Sequence, residues 1–425
     1  MHRRRLPNGG GGSQAARPRP CRLPRPGDCL AMITRNLRHF RVFLAVAELG
    51  TPTAAARRCR VSQPAVTQAL SKLEREAGGS LFDRTRRGFF LTERGAALDA
   101  RLRRAMHRLD SALADVAPRL TVTATTPQLQ ALIAVAEAQN VTLAARNLGL
   151  AQPTVHRAIA RMEQEAAEAL FERTSFGMVA TRACRQIAQA ARLAFSEFEQ
   201  AEADLAEFDG REVGRIVVGS LPLSRSVVLP EALARFRMER PTQRVVVLDG
   251  PYDDLLRGLR RGDIDVMFGA LRDPLPIDDV VQEPLFQDRL AVLARPGHPL
   301  AGAGLLSVEL LYRQSWVVPR VGTQARAQFD ALFKKHGLPP PESIIECGSI
   351  LLMREILART DLLGCISGMQ ADAVIENARL VRLNTGIDWP GRPIGLTLRA
   401  GWLPTRGQDL LLRKIRDAAR SAAGL

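Results

Sequence analysis

The residues best placed to do chemistry form a polar cluster, not a catalytic set. Ser62, Gln63, Pro64, Ala65, Thr67, Gln68, Ser71 and Lys72 fall in one short run, and Arg84, Arg86 and Arg87 follow in "LFDRTRRGFF". A glutamine side chain can bond N6 and N7 of adenine together, and serine and threonine reach base edges. Lysine and arginine neutralise phosphates. At helical period Val66, Ala69, Leu70 and Leu73 share a buried face, which turns Gln63, Thr67, Gln68, Ser71 and Lys72 outward. A helix of this kind fits a B-DNA major groove. The competing reading is a plain solvated face, so the surrounding elements decide.

Those elements support the groove reading. Ser62 is placed to cap the helix, with Pro64 inside its first turn, where a missing N–H costs nothing. Upstream, "LRHFRVFLAVAEL" carries a helical apolar face, and "AAARRC" reads as a second helix capped by Thr53. Downstream, two short extended runs around Arg86-Arg87-Gly88 read as a β wing. Residues 32–97 hold 12 basic and 5 acidic side chains. Double-stranded DNA is the partner this pattern implies.

The unit occurs twice. Phe40–Thr92 aligns with Leu129–Thr181 at a constant offset of 89, without a gap and with 21 of 53 positions identical. "AVAE", "AAR", Gln-Pro, "LF" and "RT" recur in register, which makes this a duplication. In the second copy Gln152, Thr154, His156 and Arg157 stand where the first has its polar face. Ser175-Phe176 replace Arg86-Arg87, and Ala151 replaces the capping Ser62. Two readings follow: a degenerate scaffold packed on the first unit as an intrachain pseudo-dimer, or a second reader of DNA. The lost wing charges favour the scaffold.

Composition narrows the class. The 425 residues suffice for two or three domains, and no apolar run approaches the ~18 residues a membrane helix needs. Six cysteines without a CxxC pair exclude a disulfide framework and a zinc ribbon. The Arg-rich start lacks the apolar core of a signal peptide, so a cytoplasmic protein is expected. The net charge of +16 is uneven: residues 32–120 hold 17 basic and 8 acidic groups, while residues 121–210 hold 7 and 11. Residues 1–31 read as a disordered basic tail, or as sequence preceding a true start at Met32.

The stretch from "AVAELGTPTAAARRCRVSQPAVTQALSKLE" through "LFDRT" and "LTERG" resembles the winged helix-turn-helix of the LysR-type transcriptional regulators. Pro52 departs from that pattern at the opening of helix two. The resemblance implies long linker helices that pair subunits, here one after each wing. "RACRQIAQAARLAFSEFEQAEADLAEF" has the apolar stripe for this, and its second half carries six acids from Glu197 to Asp209.

From residue 211 strands and helices alternate, which implies parallel sheets wrapped by helices. Ligands in such folds sit at the carboxyl ends of strands. The resemblance implies a two-lobed effector-binding domain, similar to periplasmic binding proteins. "YDDLLRGLRRGDIDVMFGALRDP" is most like sugar-responsive regulators within the family. The strand ends that line the cleft are Ser220, Leu221, Ser224, Gly269, Ala270, Arg320, Thr323, Ser349, Ser367 and Gly368. Arg320 beside hydroxyls suits a carboxylate or sugar acid.

Other residues carry less. Cys347 and Cys365 read as buried thiols, His298 as a lone histidine without metal-ligand spacing, and Asp263 and Asp265 as turn-holding carboxylates. Neither a catalytic set, a metal site nor a cofactor motif is found. The fold expected is multidomain: a helical winged helix-turn-helix in two copies (32–97 and 125–181), linker helices (98–124 and 182–210) and a two-lobed α/β domain (211–425). The function expected is a homo-oligomeric, DNA-binding transcriptional regulator that answers a small-molecule effector. The alternatives are DNA binding without sensing, a cytoplasmic solute-binding protein, or an enzyme on the two-lobed fold.

Overall fold

The computed structural model describes residues 35–175, 177–222, 226–275, 277–375 and 380–423. The basic tail, both candidate start methionines, Phe176 and Ser224 lie outside the described residues. The first unit comprises α1 (Leu37–Leu49), α2 (Pro52–Cys59), α3 (Gln63–Glu76) and the antiparallel hairpin of β1 (Phe82–Thr85) and β2 (Gly88–Leu91). Helix α2 starts earlier than its sequence suggested. Thr51, not Thr53, is its cap, accepting from Ala54 N at 3.3 Å, because Pro52 takes the first helical position, where no N–H is needed. Ser62 caps α3 by accepting from Ala65 N at 3.4 Å. The wing is hooked onto α1: Phe89 N donates to Gly50 O at 2.8 Å. Gly88, at φ +136°, allows this approach, since a Cβ there would lie 2.9 Å from the Gly50 oxygen.

Helix α4 (Glu93–Val116) leads through a short α5 (Leu120–Thr123) into the second unit. That unit repeats the first as α6 (Thr126–Ala138), α7 (Val141–Leu148), α8 (Gln152–Ala166), β3 (Phe171–Thr174) and β4 (Gly177–Ala180), and α9 (Arg182–Glu207) follows. The wing hook recurs, with Met178 N donating to Gln139 O at 2.9 Å. The first linker helix thus begins before residue 98, straight from the wing, and ends before residue 124.

The two linker helices pair antiparallel with each other: Arg94 meets Asp209, Arg101 meets Asp204 and Arg104 meets Glu197. Leu98, Leu102, Ala105 and Leu109 on α4 and Ile187, Ala191, Ala194 and Phe198 on α9 are buried, and they occupy equivalent positions of the repeat. The pair therefore has an approximate twofold relation. Phe40 of α1 stacks on Phe198 of α9 at 4.8 Å, and one continuous core runs from Leu37 to Leu205. Linker helices expected to join subunits join the halves of one chain instead.

One buried cation breaks the symmetry. Arg101 is 1% exposed and donates to Asp204 (2.8 Å), Glu197 (3.1 Å), Gln200 (2.7 Å) and the Leu403 carbonyl (2.6 Å). Its repeat equivalent is Ala190. A pairing of α4 with another α4 in this register would set Arg101 against Arg108, and α9 with α9 would leave Glu197 facing Ala190 and Leu193. An α9–α9 pairing would leave Glu197 and Asp204 without a cation, and an α4–α4 pairing would trade Glu197 for Arg108 while keeping one carboxylate, Asp115, near Arg101, so the cluster favours the unlike pair.

The C-terminal region has two lobes. The first holds β5 (Arg215–Ser220), α10 (Val228–Glu239), β6 (Arg244–Asp249), α11 (Tyr252–Arg261), β7 (Val266–Ala270) and β8 (Val280–Asp288). The second holds β9 (Leu290–Ala294), α12 (Val308–Tyr312), β10 (Trp316–Val318), α13 (Gln324–Lys335), β11 (Ile344–Glu346), α14 (Ile350–Leu357), β12 (Leu363–Ser367), α15 (Gly368–Ile375) and β13 (Val381–Arg382). The chain then returns to the first lobe as β14 (Arg392–Arg399) and α16 (Arg406–Ala423).

The sheets run β6-β5-β7-β14-β8 and β11-β10-β12-β9-β13. They are mixed, not purely parallel: β14 is antiparallel to β7 and β8, and β9 to β12 and β13. The antiparallel strands arise because the chain crosses between lobes and back. Strand β8 escaped the sequence reading because Pro284 interrupts it, and a bulge opposite Ile394/Gly395 accommodates the proline.

Replacing Arg101 by leucine strands Asp204 and leaves the Leu403 carbonyl without its donor. The variant is expected to lose about 3–5 kcal/mol, read by urea unfolding of the helical circular-dichroism signal. Adding Asp204→Leu should restore part of that loss.

Candidate functional site

The first reader surface is built as its residue types require. Val66, Ala69, Leu70 and Leu73 anchor α3 in the core, while Ser62, Gln63, Pro64, Thr67, Gln68 and Ser71 are exposed and Ala65 is half-buried. Lys72 is half-buried and pairs with Glu76 at 3.8 Å. Arg84 is committed inward, to Glu74 at 2.7 Å and over the Phe89 ring, so it is less available to phosphate than its position suggested. Arg86 and Arg87 are exposed at the wing tip. His39 of α1 has its pKa lowered, chiefly by burial and then by the Lys72 charge, which keeps it neutral near pH 7.

Much of the basic excess of the first unit is answered within the chain. Arg35 meets Glu199 and Glu202, Arg94 meets Asp209, and Arg101 and Arg104 meet Glu197. The acidic second half of α9 is the counter-charge for the first unit. The exposed cations that remain in the first unit include Arg86 and Arg87 at the wing tip, Arg75 on α3, and Arg38, Arg57 and Arg60 along α1 and α2.

In the second unit Gln152, Pro153, Thr154, His156, Arg157 and Arg161 of α8 are exposed, and Val155, Ile159 and Met162 are buried. Ala151 provides no side-chain cap. Thr154, Arg157 and Arg161 also line a polar cleft of about 1550 Å³ between the reader units, α9 and the first lobe.

The described residues expected to line an effector cleft fall at element ends of both lobes. Ser220, at the end of β5, and Leu221 are buried, and Gly269 and Ala270 end β7. Gly269, at φ +151°, packs so closely that a Cβ would lie 2.5 Å from Leu221 Cβ. In the second lobe Thr323 caps α13, accepting from Arg326 N, and Ser349 caps α14, accepting from Leu352 N. The exposed Arg320 lies across Gly348, beside Ser349. Ser367 is buried and donates to Asp288 at 2.9 Å, and Gly368 N donates to Arg289 O at 2.6 Å, so both belong to the interlobe crossing.

Sequence reasoning missed the residues that tie the lobes together. Gln324 donates to Leu271 O at 2.6 Å, and Gln370 donates to Pro222 O at 3.0 Å. Asp288 binds Ser367, Met369 N and the buried Arg392. Only the helix-start positions of Gln324 and Gln370 could have flagged them. Asp265 does hold a strand, accepting from Val217 N at 2.8 Å, with its pKa raised by burial. His298 accepts from Leu300 N and sits 3.1 Å from Asp361 O. Burial pushes the Cys365 thiol up to about 12.

A duplicated winged helix-turn-helix joined to a two-lobed ligand-binding fold defines the class of ligand-responsive DNA-binding proteins. The family model described as LysR substrate binding domain matches residues 209–423. The one described as bacterial regulatory helix-turn-helix protein, lysR family, matches twice, at 37–96 and 126–185. The chain belongs to the LysR family: it is a DNA-binding transcriptional regulator with an effector-binding domain, and not an enzyme.

The HTH-type transcriptional regulator GalR of Pseudomonas putida is 35% identical over 396 residues, covering 91% of this chain and 98% of that protein. An alignment of that length passes through both helix-turn-helix units. The uncharacterized HTH-type transcriptional regulator YdcI of Escherichia coli is 28% identical over 294 residues, covering 68% of this chain and 94% of that protein. The crystal structure of full-length CbnR complexed with its target DNA is 20% identical, with a TM-score of 0.48, and covers 70% of this chain and 99% of that one. Among the described residues no helix is long and apolar enough to cross a membrane.

Two variants should separate reading from anchoring. Gln63→Ala is expected to relax sequence preference at one or two base pairs, at a cost of about 1–3 kcal/mol on the preferred site. Arg86→Ala/Arg87→Ala should weaken all duplexes alike and lower the salt slope of binding by about two, measured by fluorescence anisotropy over a salt series.

Proposed function

We propose that this regulator acts in the cytoplasm as a homo-oligomer, docks α3 and the first wing on its operator, and responds to a small carboxylate-bearing molecule, a sugar acid being the class favoured. The base-reading set is Ser62, Gln63, Thr67, Gln68, Ser71 and Lys72, with Pro64 and Ala65 closing the first turn against the groove wall. Arg86 and Arg87 hold phosphates, and Arg84 contributes once its bond to Glu74 loosens.

The observation that carries the effector reading is the placement of Arg320 beside the capped starts of α13 and α14. A guanidinium can grip a carboxylate with two parallel hydrogen bonds, and backbone N–H groups at helix starts add to the attraction. The likeness of Tyr252–Pro274 to sugar-responsive members supports hydroxyl-rich ligands. Ligand held across the lobes would favour one spacing of the two, and it acts on transcription only by binding one arrangement more tightly than another.

Thermal unfolding against a panel of sugars, sugar acids and simple carboxylates tests this reading. A stabilising acid whose effect disappears in Arg320→Ala, without a change in the unliganded midpoint, is the expected result. Stabilisation by neutral sugars alone, unchanged in that variant, would contradict the carboxylate assignment. A panel without any effect would favour a DNA-binding protein that does not sense these classes.

A further inference from the structure

We infer that α8 is a second DNA reader with its own base preference, so that one chain recognises a bipartite operator with two unlike halves. This rests on the DNA-binding reading of α3 and extends it to a surface whose role was open.

Three observations carry it. First, the antiparallel α4–α9 pair relates the two units by an approximate twofold, so α3 and α8 are presented to a duplex as the two readers of a dimer would be. Proteins so arranged contact half-sites on one face of DNA, spaced by whole helical turns of ~10 base pairs. Second, the outward face of α8 is exposed from Gln152 to Arg161, while its inward residues are buried as firmly as those of α3.

Third, the two faces differ in chemistry, not in degree. Gln63 is matched by Gln152, but Gln68 is matched by Arg157, Thr67 by His156 and Lys72 by Arg161. On α3 the amine of Lys72 is drawn to Glu76 four residues on. On α8 the equivalent acid, Glu165, is taken by Arg119 at 2.6 Å, and among the described residues neither Arg157 nor Arg161 forms an ion pair. Two exposed guanidinium groups one helical turn apart are therefore uncommitted, and they line the cleft between the two units, α9 and the first lobe. The loss of Arg86 and Arg87 from the second wing is offset on the helix itself, and the second wing keeps the exposed Arg173.

The base preference follows from these side chains. Glutamine suits adenine, whereas arginine pairs in bidentate fashion with O6 and N7 of guanine. The α3 half-site should be adenine-bearing and the α8 half-site guanine-bearing.

Selection of binding sites from randomised duplexes with the full chain tests this directly. The wild type should yield a non-palindromic motif with two boxes a whole number of turns apart. Arg157→Gln/Arg161→Gln should erase the guanine box and weaken the selected duplex by about 10- to 100-fold, leaving the other box intact. Arg157→Lys/Arg161→Lys should keep the salt dependence but still lose the guanine preference. Both substituted positions are exposed, so an unchanged thermal midpoint confirms that folding is not the cause.

A motif whose boxes are all of the adenine-bearing kind, or an unchanged motif and affinity in the α8 variant while Gln63→Ala loses its box, would overturn this inference alone. Failure of the wild type to enrich any sequence would overturn the base-reading assignment of α3 as well.

Discussion

The structure depends on one pairing, the antiparallel contact of α4 and α9 fixed by buried Arg101. A cation 1% exposed is costly unless its neighbours compensate, and here two carboxylates, one amide and one carbonyl do so. Since the equivalent position in the second unit is alanine, and Glu197 is matched by Arg108 in the first, compensation is most complete when unlike helices meet. Duplication supplied two similar helices, and this charge decides which partner each one takes. The consequence is a chain whose two reader units share a single core and hold a fixed relation to each other.

The same cluster reaches the effector domain. Arg101 donates to Leu403 O and Arg104 to Gly401 O, both in the turn that follows β14. At its other end β14 begins with Arg392, bound to Asp288 at the interlobe crossing, where Ser367 and Met369 also converge. Arg399, late in the strand, is buried and donates to Leu259 O and Ile264 O. One strand thus connects the crossing between lobes to the seam between readers.

Much of this was legible in the sequence because it rests on local patterns. Ser62 followed by Pro64 marked the start of α3, and the spacing of Val66, Ala69, Leu70 and Leu73 gave its buried face. The constant offset of 89 revealed the duplication. What was not legible depends on distant partners. Arg35 and Arg94 counted toward the basic excess of residues 32–97 because sequence does not show that Glu199, Glu202 and Asp209 lie beside them. Thr53 was read as a cap because Pro52 obscured the true start one residue further back. The two lobes were half legible: Thr323 and Ser349 lie at the helix starts that follow strands, but Asp288, Gln324 and Gln370 gain meaning only when two lobes meet.

The central claim is that α4 and α9 pair within one chain. It is tested by mixing 14N- and 15N-labelled copies of an Arg94→Cys/Asp209→Cys variant, unfolding and refolding them together, and closing the pair with a short thiol cross-linker. The native side chains at these positions meet at 2.7 Å, so the cysteines should be within reach. Mass spectrometry of the cross-linked peptides reads the outcome. Pairs carrying a single isotope throughout are the predicted result. Mixed-isotope pairs in statistical proportion would contradict the account, because α4 would then be meeting the α9 of another chain.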